Sequence, residues 1–540
     1  FISNQFILWD GDDTARKILS AFQSVLYPQD LHPLINLPKS FINGWGDWDK
    51  VKMVADLFAL NRMNMELFCI LNSDYHSQSE IKLRQQEARK HKINLLVWEK
   101  KEGCRLARYR YHDHTTERFA EAFCDNVGEW CDKNNILLTG HMMEEPTLHS
   151  QTAALGEAMR SYRSFQLPGI DLLCNSHEFT TAKQAQSAAH QFGYEGVLSE
   201  LYGVTGWDCD FRTYKHQGDW QAALGITVRV PHLSWYAMAG EAKRDYPASI
   251  SYQSPWYKEY GAIEDHFARV NTALTRGKPI VKVGVIHPVE SFWLHWGPND
   301  KSAIFRDSCD EKFQQLTDWL IEGSIDFNFI SESLFPTLCE KGGNPLKVGQ
   351  MEYDAIVVPA CETLRSSTLE RLEEFRNNGG KLIFLGAAPT LCDAVESNRG
   401  KELFERSINA EYSQAAVLTA LQENRTVTLR FANGNLSDNL LYQLRQDNTC
   451  KWLFVAHSKE PHNKDTDRGR DVRITVEGEY IVTVYDTQNG TEYPADVTYM
   501  NGKTVINEHI YGYDSFLYKL EDGKKESVTK NTEVKAEECD

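Results

Sequence analysis

The sequence predicts an α/β protein: a (β/α)8-type barrel, irregular or incomplete at its N-terminal end, followed by a flavodoxin-like α/β domain and a small antiparallel β-sandwich. Three observations carry this prediction. From residue 135 onward, apolar runs of strand length alternate with stretches of helical length, the grammar of βα units and a parallel sheet. The first four of those strands each end in residues with chemistry on them, as strands of a barrel enzyme do. After about residue 410 the apolar period changes to two, the pattern of antiparallel strands with one face buried.

Length and composition fit that architecture. At roughly 100–200 residues per domain, 540 residues make about three domains. The formal net charge of −18 argues against a nucleic-acid partner, which requires a basic patch. It suits a protein acting on a neutral substrate. The 12 cysteines form no CxxC pair, so neither a zinc site nor a redox motif is indicated, and free thiols are expected. No apolar run reaches the length of a membrane span. Residues 1–20 lack a signal peptide's basic start and apolar stretch, which with the free thiols points to the cytoplasm. The chain begins at Phe1 rather than Met, so its N-terminus is open to truncation.

In order along the chain, residues 1–277 are assigned to the barrel. Residues 1–135 read as mostly helical, with an amphipathic stretch over 49–64, short apolar runs at 6–9 and 93–98, and a helix over 115–133 carrying Phe119, Phe123, Val127 and Trp130. Strands follow at 136–141, 169–174, 197–202 and 226–232. Helices are expected over 147–164, 182–192, 219–224 and 257–276. A boundary falls at Arg276-Gly-Lys-Pro279, and residues 278–410 read as a doubly wound α/β domain without a GxGxxG or Walker loop. Residues 411–522 form the sandwich. Residues 523–540, rich in Lys, Glu, Thr and Ser, are expected to be a disordered tail.

The densest chemistry lies in residues 196–257, where carboxylates, basic groups and four tryptophans crowd together. Such groups are expensive to bury without partners and suit a polar cleft with aromatic walls. Glu200 ends an apolar strand; a salt bridge to Lys215 or Arg244 is its structural alternative. Glu145 follows the strand ending at His141, and Glu144 beside it could exchange roles. Breaking a glycosidic bond needs two such carboxyl groups. His141 and His232 end strands and could bind sugar hydroxyls, and Asp171 either binds substrate or fixes the rim. Trp207, Trp220, Trp235 and Trp256 offer rings that stack on sugar C–H faces, with at least one expected in the core. Arg244-Asp245 reads as a self-satisfied ion pair. Cys361 follows a strand of the second domain but lacks the flanking glycines of a nucleophile elbow.

Several short motifs share an order and spacing with one family. They are Thr139-Gly-His141-x3-Glu145, Gln151, Met159-x2-Tyr162, Pro168-Gly-Ile-Asp171, Ser199-Glu200-x-Tyr-Gly203-x2-Gly-Trp207, Lys243-Arg-Asp245, Gln253-x-Pro-Trp256 and His287-Pro-x-Glu290. Across roughly residues 110–340 the chain resembles the bacterial glycoside hydrolases around the family 106 α-L-rhamnosidases. The resemblance implies an exo-acting, inverting hydrolase in which Glu200 activates water and Glu145 matches the second carboxyl. It also implies a bound calcium, although no DxDxDG loop is present to supply its ligands. Residues 1–100 match poorly, and Asp10-Gly-Asp-Asp13 is at best a degenerate counterpart of the family's earlier acidic segment. Two rivals stand beside this reading: a retaining β-galactosidase-like enzyme with the same domain order, and a carbohydrate-binding protein without hydrolysis.

Overall fold

The computed structural model describes the strands β1 (Gln5–Trp9), β2 (Glu66–Asn72) and β3 (Ile93–Trp98), the backbone at Gln86, and residues 104–524 apart from 174–175, 244–248, 298, 464–465 and 467. The chain forms two compact units, Phe1–His114 and Thr115–Asp540. The amphipathic stretch over 49–64, Asp10 to Asp13, the Arg244-Asp245 pair and nearly all of the 523–540 tail lie outside the described residues.

The first unit holds a parallel sheet in the order β1-β2-β3, with Gln5 opposite Glu66 and Leu67 opposite Ile93. The reading of residues 1–135 as mostly helical missed β2. Its apolar run from Leu67 to Leu71 is continuous, so no period separates strand from helix there.

The second unit begins with helical turns that end at Lys133. Residues Ala120–Asp125 form a π-type turn, which inserts an extra residue and rotates the following face. Ala120, Cys124, Gly128 and Cys131 are buried, while Phe119, Phe123 and Trp130 are exposed. Four parallel strands follow in sequence order: β4 (Thr139–His141), β5 (Leu167–Asp171), β6 (Val197–Leu201) and β7 (Ile226–Pro231). Sequential parallel order with helices between strands is the arrangement of barrel-type βα units. β4 is shorter than expected, because Ile136 and Leu137 are exposed and precede the pairing. The helix Phe179–Phe192 ends on Gly193 in the left-handed region (φ 79), and Thr147 caps the helix Leu148–Ala154 through a capping box with Ser150.

The helix after β6 runs over Phe211–Ala223, much longer than expected, and Asp210 caps it by accepting from the Thr213 N–H at 3.1 Å. Asp210 is thus a cap rather than a site residue. The helix fastens the parallel sheet to the sandwich. Lys215 Nζ lies 2.5 Å from Asp219 Oδ2 and donates to the Tyr513 carbonyl (2.9 Å) and Ser515 Oγ (2.8 Å). His266 Nε2 lies 2.7 Å from Asp219 Oδ1. Lys215 is therefore committed here and is not a partner of Glu200.

Five parallel strands then form a sheet in the order Phe327–Ile330, Val283–Ile286, Ala355–Pro359, Lys381–Leu385, Ile408–Ala410. Counted along the chain, that is 2-1-3-4-5, the flavodoxin-type doubly wound order. Two antiparallel sheets follow, of four and six strands, and share a core that includes Leu429, Leu453, Val472, Ile474, Ile506 and Tyr518. The hairpin Val497–Met500 and Lys503–Ile510 forms one edge of the four-stranded sheet. Asn501 and Gly502 turn it with φ of 53 and 76, the double positive-φ requirement that an Asn-Gly pair meets.

Candidate active site

The C-terminal edge of the four-stranded sheet gathers the site. His141 ends β4, Asp171 ends β5, Glu200 lies near the end of β6, and His232 follows β7. Asp171 is opposite Glu200 in register, and the His232 N–H donates to the Leu201 carbonyl at 2.7 Å. Four sequence-distant residues are placed side by side because period-two strands in parallel register bring equivalent positions to one edge. One ligating atom from each of His141, Asp171 and Glu200 lies within 4.8 Å of the others.

Each imidazole is aimed by its own backbone. His141 Nδ1 is 2.7 Å from the Met142 carbonyl, and His232 Nδ1 is 3.0 Å from the Leu233 carbonyl. A carbonyl only accepts, so Nδ1 carries the proton in both and Nε2 is left for the cluster. Gly203 makes room for this. A Cβ there would lie 2.9 Å from His232 Cδ2. The loop carrying Gly203 is strained, with Tyr202 at φ 69 and Val204 at φ 60, a region that β-branched residues rarely enter.

Behind the strand ends sits a second tier of carboxyl groups. Glu144 takes φ 63 and is exposed, and this turn sends Glu145 inward, where it is buried. The two neighbours therefore occupy different environments. Glu145 is held by the residues of its own motif. Gln184 and Gln151 donate to its carbonyl, and the Tyr162 hydroxyl is 3.5 Å from Oε1 while donating to the Gly169 carbonyl at 2.9 Å. Burial pushes the Glu145 carboxyl up, with Glu178 adding to the rise and His141 opposing it. Burial and the neighbouring Glu200 likewise raise Asp171, against His141 and His232.

Glu178 was not among the residues singled out from sequence. Burial raises its carboxyl, Asp171 and Glu144 raise it further, and Thr181 Oγ1 donates to it at 3.1 Å. It precedes a helix, where an acidic residue is unremarkable. Its place on the loop after β5 matches that of Glu145 after β4, and that was the available signal.

The tryptophans divide. Trp235 stands 6.3 Å from the His232 ring, edge to face, on the loop after β7. Trp207 and Trp256 are half-buried on the loops after β6 and β7. Trp220 is fully buried and packs against His177 and Phe179, so its expected role in sugar stacking is replaced by one in the core. The reason is its place on the inward face of the helix Phe211–Ala223 rather than on a loop. Cys361 is buried, and burial with Glu332 nearby pushes its thiol well up, which leaves it inert as a nucleophile.

Calcium takes six to eight oxygen ligands. Among the described residues, His141, Asp171 and Glu200 are the group that could hold a metal ion, and they offer two carboxylates and one imidazole nitrogen. That donor set does not fit calcium.

No protein-family model matches the chain. Among curated proteins it is similar to a "Putative beta-glucuronidase" of Formosa agariphila, 24% identical over 372 residues, 64% of this chain and 29% of that protein. Its fold is similar to that of a rhamnosidase from Novosphingobium sp. PP1Y, with a TM-score of 0.60 and 15% identity over 77% of this chain and 40% of that one. It is also similar to that of Gan42B, a GH42 beta-galactosidase from G. stearothermophilus, with a TM-score of 0.50 and 10% identity over 77% of this chain and 68% of that one. The chain thus spans well under half the length of the curated relative and of the rhamnosidase. No helix among the described residues is long and apolar enough to cross a membrane.

Proposed function

We propose that the protein is a glycoside hydrolase that removes a terminal sugar, with Glu200 as the base that activates water and Glu145 as the general acid. The observation that carries this reading is the convergence of His141, Asp171, Glu200 and His232 at one edge of a parallel sheet, backed by a buried carboxyl group with a raised pKa. A general acid must hold its proton at working pH, and burial favours the neutral form of Glu145. Glu200 is more accessible and its neighbour Asp171 is close. One oxygen of Asp171 and one of Glu200 lie within 4.8 Å of each other, well short of the about 6.5–9.5 Å between the carboxyl groups of inverting pairs. For inversion the acid must then come from elsewhere, and Glu145 is the buried candidate. His141 and His232 orient hydroxyl groups through Nε2, and Trp235 supplies a ring wall.

The finer reading is an inverting, α-L-rhamnosidase-like enzyme. Its support is the motif order, in which Gln151, Tyr162 and Gly203 each have a physical task beside Glu145 or His232. A neutral sugar also suits the site, since among the described residues the charged groups acting on Asp171 and Glu178 are carboxylates and imidazoles. A uronic acid would meet repulsion there, which sets the glucuronide as the second reading to exclude. A panel of nitrophenyl glycosides tests this: α-L-rhamnoside, β-galactoside and β-glucuronide. Hydrolysis is expected for the rhamnoside, and Glu200→Gln and Glu145→Gln are each expected to lose about 10²–10⁴-fold in kcat. Full activity in either variant removes that residue from its role. Sugar binding without hydrolysis of any glycoside would instead identify a binding protein.

A further inference from the structure

At the opposite edge of the four-stranded sheet, where β6 and β7 begin, lies a cavity of about 390 Å³. Arg445, Lys278, His190, Thr227 and Gly277 are among its lining residues. Its size falls in the range of small-molecule sites, about 300–1,000 Å³. Arg445 is the unusual member. It lies on the strand Leu440–Gln446 and is 8% exposed. Nε donates to the Arg276 carbonyl at 2.8 Å and Nη2 to the Gly277 carbonyl at 3.0 Å. Those carbonyls follow the helix Gly261–Leu274, whose C-terminal end offsets part of a positive charge. Among the described residues, no carboxylate pairs with the guanidinium, and Nη1 has no partner. Burial pushes its pKa down to about 10.

A buried cation without an anion is expensive. Two neighbours leave its charge balance unchanged. Burial, with Lys183 and Arg445 nearby, holds the His190 imidazole well below its usual range, so it is neutral. Glu195, the carboxylate among the lining residues, is exposed and does not act on Arg445. Lys278 adds a second positive group at the mouth.

We propose that this cavity binds a small molecule through an oxyanion, a phosphate or carboxylate group, that meets the free edge of the Arg445 guanidinium and the Lys278 ammonium. The guanidinium plane is fixed in advance by its two carbonyl bonds, which suits it to a planar or tetrahedral oxyanion. The site is separate from the strand-end cluster, and the proposal stands whether or not that cluster hydrolyses glycosides.

Thermal unfolding of the full chain tests it, with inorganic phosphate in one arm and citrate in the other, against sodium chloride at matched ionic strength. A ligand that binds only the folded state raises Tm saturably, here by about 2–4 °C. A rise in the phosphate arm assigns a phosphate, and a rise in the citrate arm a carboxylate. Arg445→Gln is expected to abolish the rise and Lys278→Ala to raise the half-saturating concentration about tenfold. Flat curves in both arms, a rise matched by chloride, or a rise that survives in Arg445→Gln overturns the proposal. Should Arg445→Gln fail to fold, an unchanged half-saturation in Lys278→Ala overturns it.

Discussion

A methyl group on Gly203 would press on His232 from 2.9 Å. The imidazole must shift to relieve that contact, which pulls it off its bond to the Leu233 carbonyl. Gly203→Ala is therefore expected to lower kcat/KM by about 10–100-fold while leaving Tm nearly unchanged, since misplacing a catalytic-site group by about 1 Å costs on that order. Steady-state kinetics beside a melting curve checks this. The tryptophans make the converse case. Trp220→Ala should destabilise by about 3–5 kcal/mol, as large-to-small changes in a core do, and leave kcat/KM of the remaining folded protein intact. Trp235→Ala should do the reverse. A Trp235→Ala variant that melts early with unaltered kinetics would remove that ring from the site. The raised carboxyl of Glu145 gives a pH signature as well. The acid must be protonated, so activity should fall as pH rises through its pKa, and Glu145→Gln should lack that alkaline limb.

Among the elements, the helix Phe211–Ala223 is the one on which most depends. Burial works against the Asp219 charge, yet Lys215 and His266 hold its carboxyl well below the usual range. With a depressed folded pKa, the stabilisation is present above pH ~4 and is lost as pH falls below that. Asp219→Asn leaves the Lys215 ammonium buried and unpaired, and a loss of about 3–5 kcal/mol is expected in denaturant titration. This helix also shows what was legible in sequence. Its last turn was recognisable, but the earlier ones were hidden by Asp210 and Lys215, polar residues in the stretch that read as site chemistry. In the folded chain Asp210 caps the helix and Lys215 fastens it. The strands β4 to β7 were legible because their apolar runs end in His141, Asp171, Glu200 and His232, and those ends are the site. Glu178 was not, because an acid before a helix has an ordinary explanation. The strand Glu66–Asn72 escaped for another reason: a nearly unbroken apolar run has no period.

Across the whole of the second unit, buried histidines set the response to acid. Burial holds His216 down to about 3 and His287 down to about 4, and depresses His190 as well. In the unfolded chain each titrates near 6.5. As pH falls below about 6.5 the unfolded chain takes up protons that the folded one refuses, so stability falls. Each group contributes up to about 1.4 kcal/mol per pH unit. Tm is expected to drop steadily between pH 6.5 and 4, less steeply in His216→Phe; a Tm flat over that window would contradict the burial of these rings. Cys124, Cys131, Cys209, Cys309, Cys339, Cys361, Cys392 and Cys450 are free, so none of them forms a cross-link that counters this loss.

The tie from Lys215 to Tyr513 and Ser515 joins residues about 300 positions apart, the last of them near the end of the sandwich. Ancestral recombination that exchanged the sandwich for another module would have stranded the Lys215–Asp219 pair beneath a new and unmatched surface. The helix following the Glu200 strand and the last described strand of the sandwich therefore depend on each other. Shortening the chain by even thirty residues would reach the same bond.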